Sequence, residues 1–226
     1  MSDKMRCKIL TFEDVYEMTR QVASKVKESG YEPTTIVGLA RGGWIPARLL
    51  CDFLGITDLI SLKVEHWLET GRTKDEATIR YPLTADLEGK RLLVVDDIAD
   101  TGKSLMASTS YLSRFNADEM KTATMQYLPS SKFIPDYYAE EVKVWAWFVY
   151  PWNWIEDTST LVVRLMGTDK EKVWSVPTLN KGLKGLFEIE WDEGMLRHIL
   201  QVMVERNQVE EVEVGYRLKE AKVIRL

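Results

Sequence analysis

Apolar positions recur along the chain with two periods, and the switches between them mark out the elements. Thr11 offers an N-cap with Asp14 three residues on, and Phe12, Val15, Met18, Val22 and Val26 keep a helical stripe until Gly30. After Pro33 the apolar run 35–39 predicts a buried strand, and a tight loop of Ala40, Arg41, Gly42 and Gly43 leads into the helical segment WIPARLLCDFLG. Residues 60–64 and 78–81 predict two further strands, with a polar stretch between them holding Gly71 and five charged residues over 69–78. The run 92–95 predicts another buried strand, ending at Asp96 and Asp97, and helical spacing resumes over 104–112. Residues 121–128 predict a strand, 129–135 a loop, and 142–149 an apolar run containing Trp145, Trp147 and Phe148. Strand, loop and helix in succession predict an α/β fold: a central, mostly parallel twisted sheet flanked by helices.

From about residue 161 the pattern changes. Strand-like pieces at 161–165 and 186–191 precede a predicted helix over 192–206, with Met195, Ile199, Val202 and Met203 on one face, and then a Glu–Val alternation. No repeat, low-complexity tract or Gly/Ser linker sets this part off. The expected organisation is a core over 1–160 and a C-terminal αβ extension over 161–226, packed on the core or on a partner subunit.

Composition narrows the function. With 226 residues and 45% hydrophobic positions the chain can bury a sizeable core. A net charge of −5 and a pI near 5.3 argue against a nucleic-acid partner, and neither a basic patch nor a helix-turn-helix stands out. Cys7 and Cys51 are too few for a disulfide framework or a zinc site, and His66 and His198 are the only histidines, which suits a reducing cytoplasm. The terminus MSDKMRCKIL lacks a long apolar segment and no run approaches a membrane span, so a soluble, unprocessed cytoplasmic protein is expected.

The chemistry concentrates in LLVVDDIADTGKSL, residues 92–105. Two carboxylates stand at a strand's carboxyl end, where open α/β sheets bind ligands, and a polar loop then enters a helix. Backbone amides and the positive helix end make that loop a cradle for phosphate, with Gly102 allowing close approach. A Walker A loop would need glycine where Asp97 stands, and no G-x-G-x-x-G opens a helix here.

The whole string resembles the phosphoribosyl pyrophosphate (PRPP) signature of type I phosphoribosyltransferases. This resemblance implies that Asp96 and Asp97 hold the ribose hydroxyls, and that Asp100, Thr101, Gly102, Lys103, Ser104 and Leu105 hold the 5′-phosphate. The loop of Ala40, Arg41, Gly42 and Gly43 is similar to the family's pyrophosphate loop, with a cis peptide expected at Ala40–Arg41. The segment 65–80 corresponds to the family's lid, and 129–156 to a base-binding hood resembling that of xanthine-guanine and hypoxanthine enzymes and their archaeal relatives. In that hood Trp147 takes the stacking position ahead of Pro151 and Trp152, with Phe148 beside it. The resemblance spans 35–154 and runs out beyond it.

The activity implied is purine salvage. A purine phosphoribosyltransferase would join PRPP and a purine base into a purine nucleoside monophosphate and release pyrophosphate. Magnesium is the implied cofactor, carried by PRPP, with Asp96 and Asp97 as candidate protein ligands. Asp100 is the candidate general acid or base beside the purine. Xanthine-guanine enzymes carry a lysine where this chain has Leu128, and loss of that donor tilts the expectation towards adenine. Lys132 can reach in from the loop, and Asp100 favours a 6-oxopurine (hypoxanthine, guanine or xanthine), which is the alternative. A PRPP-sensing regulator is the second alternative. A homodimer is expected, because family members build the site near a subunit interface.

Overall fold

The computed structural model describes residues 4–66 and 77–219. It divides into two compact units, Phe12–Val144, and Met1–Thr11 together with Trp145–Leu226. The opening strand β1 (Cys7–Ile9) belongs to the second unit.

The first unit runs α1 (Phe12–Glu28), β2 (Thr35–Ala40), α2 (Trp44–Leu54), β3 (Leu59–His66), β4 (Ala77–Ile79), β5 (Arg91–Ala99), α3 (Lys103–Leu112), β6 (Glu119–Tyr127) and β7 (Tyr137–Glu141). Its six strands form one sheet in the order β4-β3-β2-β5-β6-β7, parallel throughout except for β4. Successive strand residues face opposite sides, and the core divides accordingly. Ile36, Leu93 and Val95 pack with Val22, Val26, Ala47 and Leu50 of α1 and α2. Val37, Leu39, Leu92 and Val94 pack with Leu105 and Leu112 of α3. The α2 crossover therefore covers one face and α3 the other, which makes the gap between β2 and β5 the topological switch point.

Three expectations shift here. The strand expected to end at Asp96 and Asp97 is β5, which continues to Ala99, because β6 runs beside it and pairs Asp96 with Thr124 and Ala99 with Tyr127. Pairing of the backbone is indifferent to the side chain's charge. The strand expected at 78–81 is β4, two residues earlier at its end, and of the expected lid the residues 67–76 lie outside those described. The apolar run 142–149 is strand only at its end, and β7 precedes it.

In the second unit β1 pairs in parallel with β8 (Trp147–Val149). A 3-10 turn over Pro151–Asn153 leads into α4 (Trp154–Met166), followed by α5 (Val176–Phe187), α6 (Glu193–Glu205) and an antiparallel hairpin of β9 (Val209–Val212) and β10 (Gly215–Leu218). The boundary expected at 160–161 falls in the middle of α4. The supposed strand 161–165 is also α4, whose buried Thr158, Leu161, Val162, Leu165 and Met166 follow helical spacing. The piece 186–191 closes α5 and turns, with Glu188 left-handed at φ 60°. The helix expected over 192–206 is α6, with Asp192 as its N-cap and Arg206 as its C-cap.

Candidate functional site

Because β2 and β5 are neighbours in register, with Gly38 beside Val95, the loops leaving their carboxyl ends emerge side by side. The first loop closes on itself through the Gly43 amide, which donates to the Leu39 carbonyl at 2.8 Å. Its Ala40–Arg41 peptide is cis. Both glycines are held by their neighbours. A Cβ on Gly43 would collide with the Val95 carbonyl, and one on Gly42 with the Asp97 carboxylate.

Asp96 and Asp97 lie in β5, half-buried. The Asp97 amide donates to Asp96 Oδ1 at 3.0 Å, and the Ile98 amide to Asp97 Oδ1 at 2.8 Å. Burial of the carboxyl, and next the charge of Asp97, push Asp96 well above the usual carboxylate range. Two adjacent carboxyl groups offer the acceptor oxygens that suit a pair of vicinal hydroxyls.

Asp100 and Thr101 are exposed at the start of the second loop. Gly102, at φ 76°, caps α3 without a side chain, so the helix begins with its positive end towards the loop. Lys103 and Ser104 are half-buried, while Leu105, 1% exposed, anchors the helix in the core. The segment after β6 lies directly on this loop. A Cβ on Gly102 would come within 2.6 Å of Phe133 Cβ and Ser131 Oγ, and the Lys132 amide donates to the Thr101 carbonyl at 3.2 Å.

Leu128 is buried, at 4% exposure, and its amide donates to the Ala99 carbonyl at 3.0 Å. Lys132 is exposed. Trp147 and Phe148 belong to the second unit, in β8, where Trp147 is 46% exposed opposite Cys7 and Phe148 is half-buried opposite Lys8. Sequence reasoning missed Lys63. This residue lies in β3 directly beside Ala40, and a lone cation in the apolar strand LISLKVEH was the available signal. It also missed Trp44, whose indole donates to Ser61 Oγ at 2.6 Å immediately after the first loop.

Among the described residues no group of three or more His, Cys, Asp or Glu gathers as a metal cage. The Asp96 and Asp97 pair nonetheless supplies hard oxygens, the donor type that suits magnesium completed by water and phosphate oxygens. No helix among the described residues is long and apolar enough to cross a membrane.

Comparison with known proteins agrees with this geometry. Residues 9–156 match the phosphoribosyl transferase domain model. A xanthine-guanine phosphoribosyltransferase of Cereibacter sphaeroides is 28% identical over 151 residues, covering 64% of this chain and 85% of that protein. One from Gluconobacter oxydans is 27% identical over 154 residues, covering 68% and 86%. The crystal structure of a purine phosphoribosyltransferase from Pyrococcus horikoshii is 34% identical, with a TM-score of 0.59 over 66% of this chain and 95% of its own. A parallel sheet with two loops meeting at its switch point, and a family model matched across most of it, establish that the chain belongs to the type I phosphoribosyltransferase family.

Proposed function

We propose that this chain is a purine phosphoribosyltransferase that takes a 6-oxopurine, releasing pyrophosphate from PRPP and leaving a purine nucleoside monophosphate. The observation that carries the reading is the contact between the loops, in which the Asp97 carboxylate lies against Gly42. A diol-accepting pair is thereby set directly beside an anion-binding turn, as a ribose that carries a pyrophosphate requires.

On this reading the bond from the anomeric carbon to pyrophosphate oxygen breaks and one to a purine ring nitrogen forms, with inversion. Positive charge develops on the ribose. Asp96 and Asp97 hold its hydroxyls and Asp100 to Leu105 hold the 5′-phosphate, so the sugar is fixed at both ends. The loop of Ala40 to Gly43, with Arg41 and Lys63 as cations, stabilises the leaving pyrophosphate. Magnesium bound with PRPP would neutralise further charge on that group. Asp100, exposed at the loop's start, exchanges the proton of the attacked base.

For the base, the names of the Cereibacter and Gluconobacter relatives and the presence of Asp100 favour a 6-oxopurine over the adenine first expected from Leu128. Leu128 is buried and its side chain offers no donor. Lys132 is the replacement. Its backbone is tied to the phosphate loop at Thr101, and its side chain is solvent-exposed and able to donate to an oxygen at purine C6. The test is PRPP-dependent consumption of guanine, xanthine, hypoxanthine and adenine. The expected order places the oxopurines above adenine in kcat/KM. Preference for adenine would overturn the base assignment alone, while consumption of none would remove the transferase reading.

A further inference from the structure

Within the second unit, α4, α5, α6 and the β9–β10 hairpin follow one another as three helices and a two-stranded ribbon. Trp174, just ahead of α5, forms an antiparallel bridge with Tyr216 of β10, with amide-to-carbonyl hydrogen bonds in both directions at 2.8 and 2.9 Å. A single bridged residue thus joins the ribbon from between the first and second helices. The turn from α5 to α6 is fastened by Asn180, whose amide group donates to the Trp191 carbonyl at 2.6 Å and accepts from its N–H at 3.0 Å. Asp192 then caps α6 by accepting from the Met195 amide at 2.9 Å. Helix, bridged residue, helix, turn, helix and two-stranded ribbon is the order of a winged helix-turn-helix, which the sequence alone did not disclose.

The two faces of α6 differ sharply. Leu196, Ile199, Leu200 and Met203 are buried, whereas Glu193, Gly194, Arg197, His198, Gln201 and Glu205 are exposed. The outer face is polar, with half-buried Val202 and Val204 at its edges. In this arrangement the second helix of the motif enters the major groove with its amino-terminal half against base edges. Arginine is suited there to guanine and glutamine to adenine.

Net charge opposes DNA binding, and Glu205 of α6 and Glu213 of the hairpin turn are exposed, but several other local charges are engaged with one another. Glu193 pairs with Arg197 at 2.6 Å, Glu210 with Arg217 at 3.5 Å and Glu188 with Arg6 at 3.5 Å, while Glu211 accepts from the Tyr216 hydroxyl at 3.4 Å. Lys184 holds Glu190. Exposed pairs of this kind are weak, so Arg197 can exchange Glu193 for a guanine edge. Lys181 on α5 and Arg206 at the end of α6 are exposed and form no ion pair among the described residues.

We propose that this unit binds duplex DNA at a specific sequence, with α6 in the major groove and Arg197, His198 and Gln201 reading bases. Few cations are left for phosphates, so affinity rests on base contacts, and binding is sequence-selective with a shallow salt dependence.

The experiment is repeated selection by the intact chain from a random duplex library, followed by fluorescence anisotropy on the enriched sequence. The expected result is one enriched motif, bound with a log–log salt slope of about −2 to −3. Arg197→Ala and Gln201→Ala should each weaken it about tenfold or more and relax selectivity at one position. Both positions are exposed, so melting curves and purine transfer should match the wild type. Failure to enrich any motif would overturn the proposal. So would duplex binding that both variants leave unchanged, or a surface of α6 that only associates with protein.

Discussion

Replacing Asp96 by Asn is expected to strengthen the fold while weakening PRPP binding. Asp96 sits in β5 opposite Thr124, accepts the Asp97 amide at 3.0 Å, and has its carboxyl pushed upward by burial first and by the Asp97 charge second. The folded chain therefore holds this proton more tightly than the unfolded chain, in which Asp titrates near pH ~3.9. Stability from that proton is complete below about pH 4 and is lost as pH rises through the raised folded value. The higher the pH, the more the fold is penalised for a charge that it disfavours. Asn keeps an oxygen for the Asp97 amide and never ionises, so a gain of about 1 kcal/mol is expected, within the range of single stabilising changes. For a chain of this size that is a rise of about 2–4 °C in melting temperature. The gain should shrink towards zero near pH 4, where wild type and variant are both neutral. PRPP affinity should move the other way. An amide presents one acceptor oxygen where the carboxyl presents two, and a lost hydrogen bond of roughly 0.5–1.5 kcal/mol corresponds to a loss of about two- to tenfold. Melting followed from pH 4 to 8, beside calorimetric titration with PRPP, measures both quantities. A variant that melts below wild type at pH 8 would refute the linkage argument, and unchanged affinity would take Asp96 out of the ribose site.

Asp100→Ala should lower turnover by about 10²-fold with little change in PRPP affinity, measured by steady-state kinetics beside calorimetry; near-normal turnover would leave Asp100 a loop-shaping role. Lys132→Met should reduce kcat/KM for guanine about tenfold and spare adenine, because only an oxygen at C6 loses a donor; equal losses for both bases would count against it. Gly43→Ala should destabilise the first unit by about 1–3 kcal/mol and weaken PRPP binding, since its methyl meets the Val95 carbonyl; an unshifted denaturant midpoint would show that the loop gives way freely.

The two loops were legible in the sequence because each gathers its chemistry into consecutive residues, and a strand before and a helix after give them a place in an α/β sheet. The second unit was not, for reasons that lie in distance and in β-branching. Val162 and Val163 inside LVVRL suggest a strand over five residues, and only the wider spacing from Thr158 to Met166 reveals the helix. The winged helix depends on Trp174 bridging Tyr216 across a long stretch of chain, and on Asn180 fastening a turn eleven residues on, relations that no local period records. The same limit applies within the site. Lys63 joins it only through the β2–β3 register, and Lys132 only through its amide on Thr101.

The glycines of the first loop show how far local reasoning reaches. From the sequence they read as a turn that frees backbone amides for an anion. Yet Gly43 has φ −71° and ψ −7°, a conformation open to any residue, so torsion does not account for it. Space does. Gly43 is pressed on the Val95 carbonyl and Gly42 on the Asp97 carboxylate, both on β5, the neighbouring strand that leads into the second loop. A side chain at either position would have to push β2 and β5 apart or expel the carboxylate. On the proposed reading, the spacing of the ribose and pyrophosphate sites is thus set by the contact between two loops whose strands are held in register by the buried sheet. Activity should therefore respond to the packing beneath Gly42 and Gly43 as well as to the residues that touch PRPP.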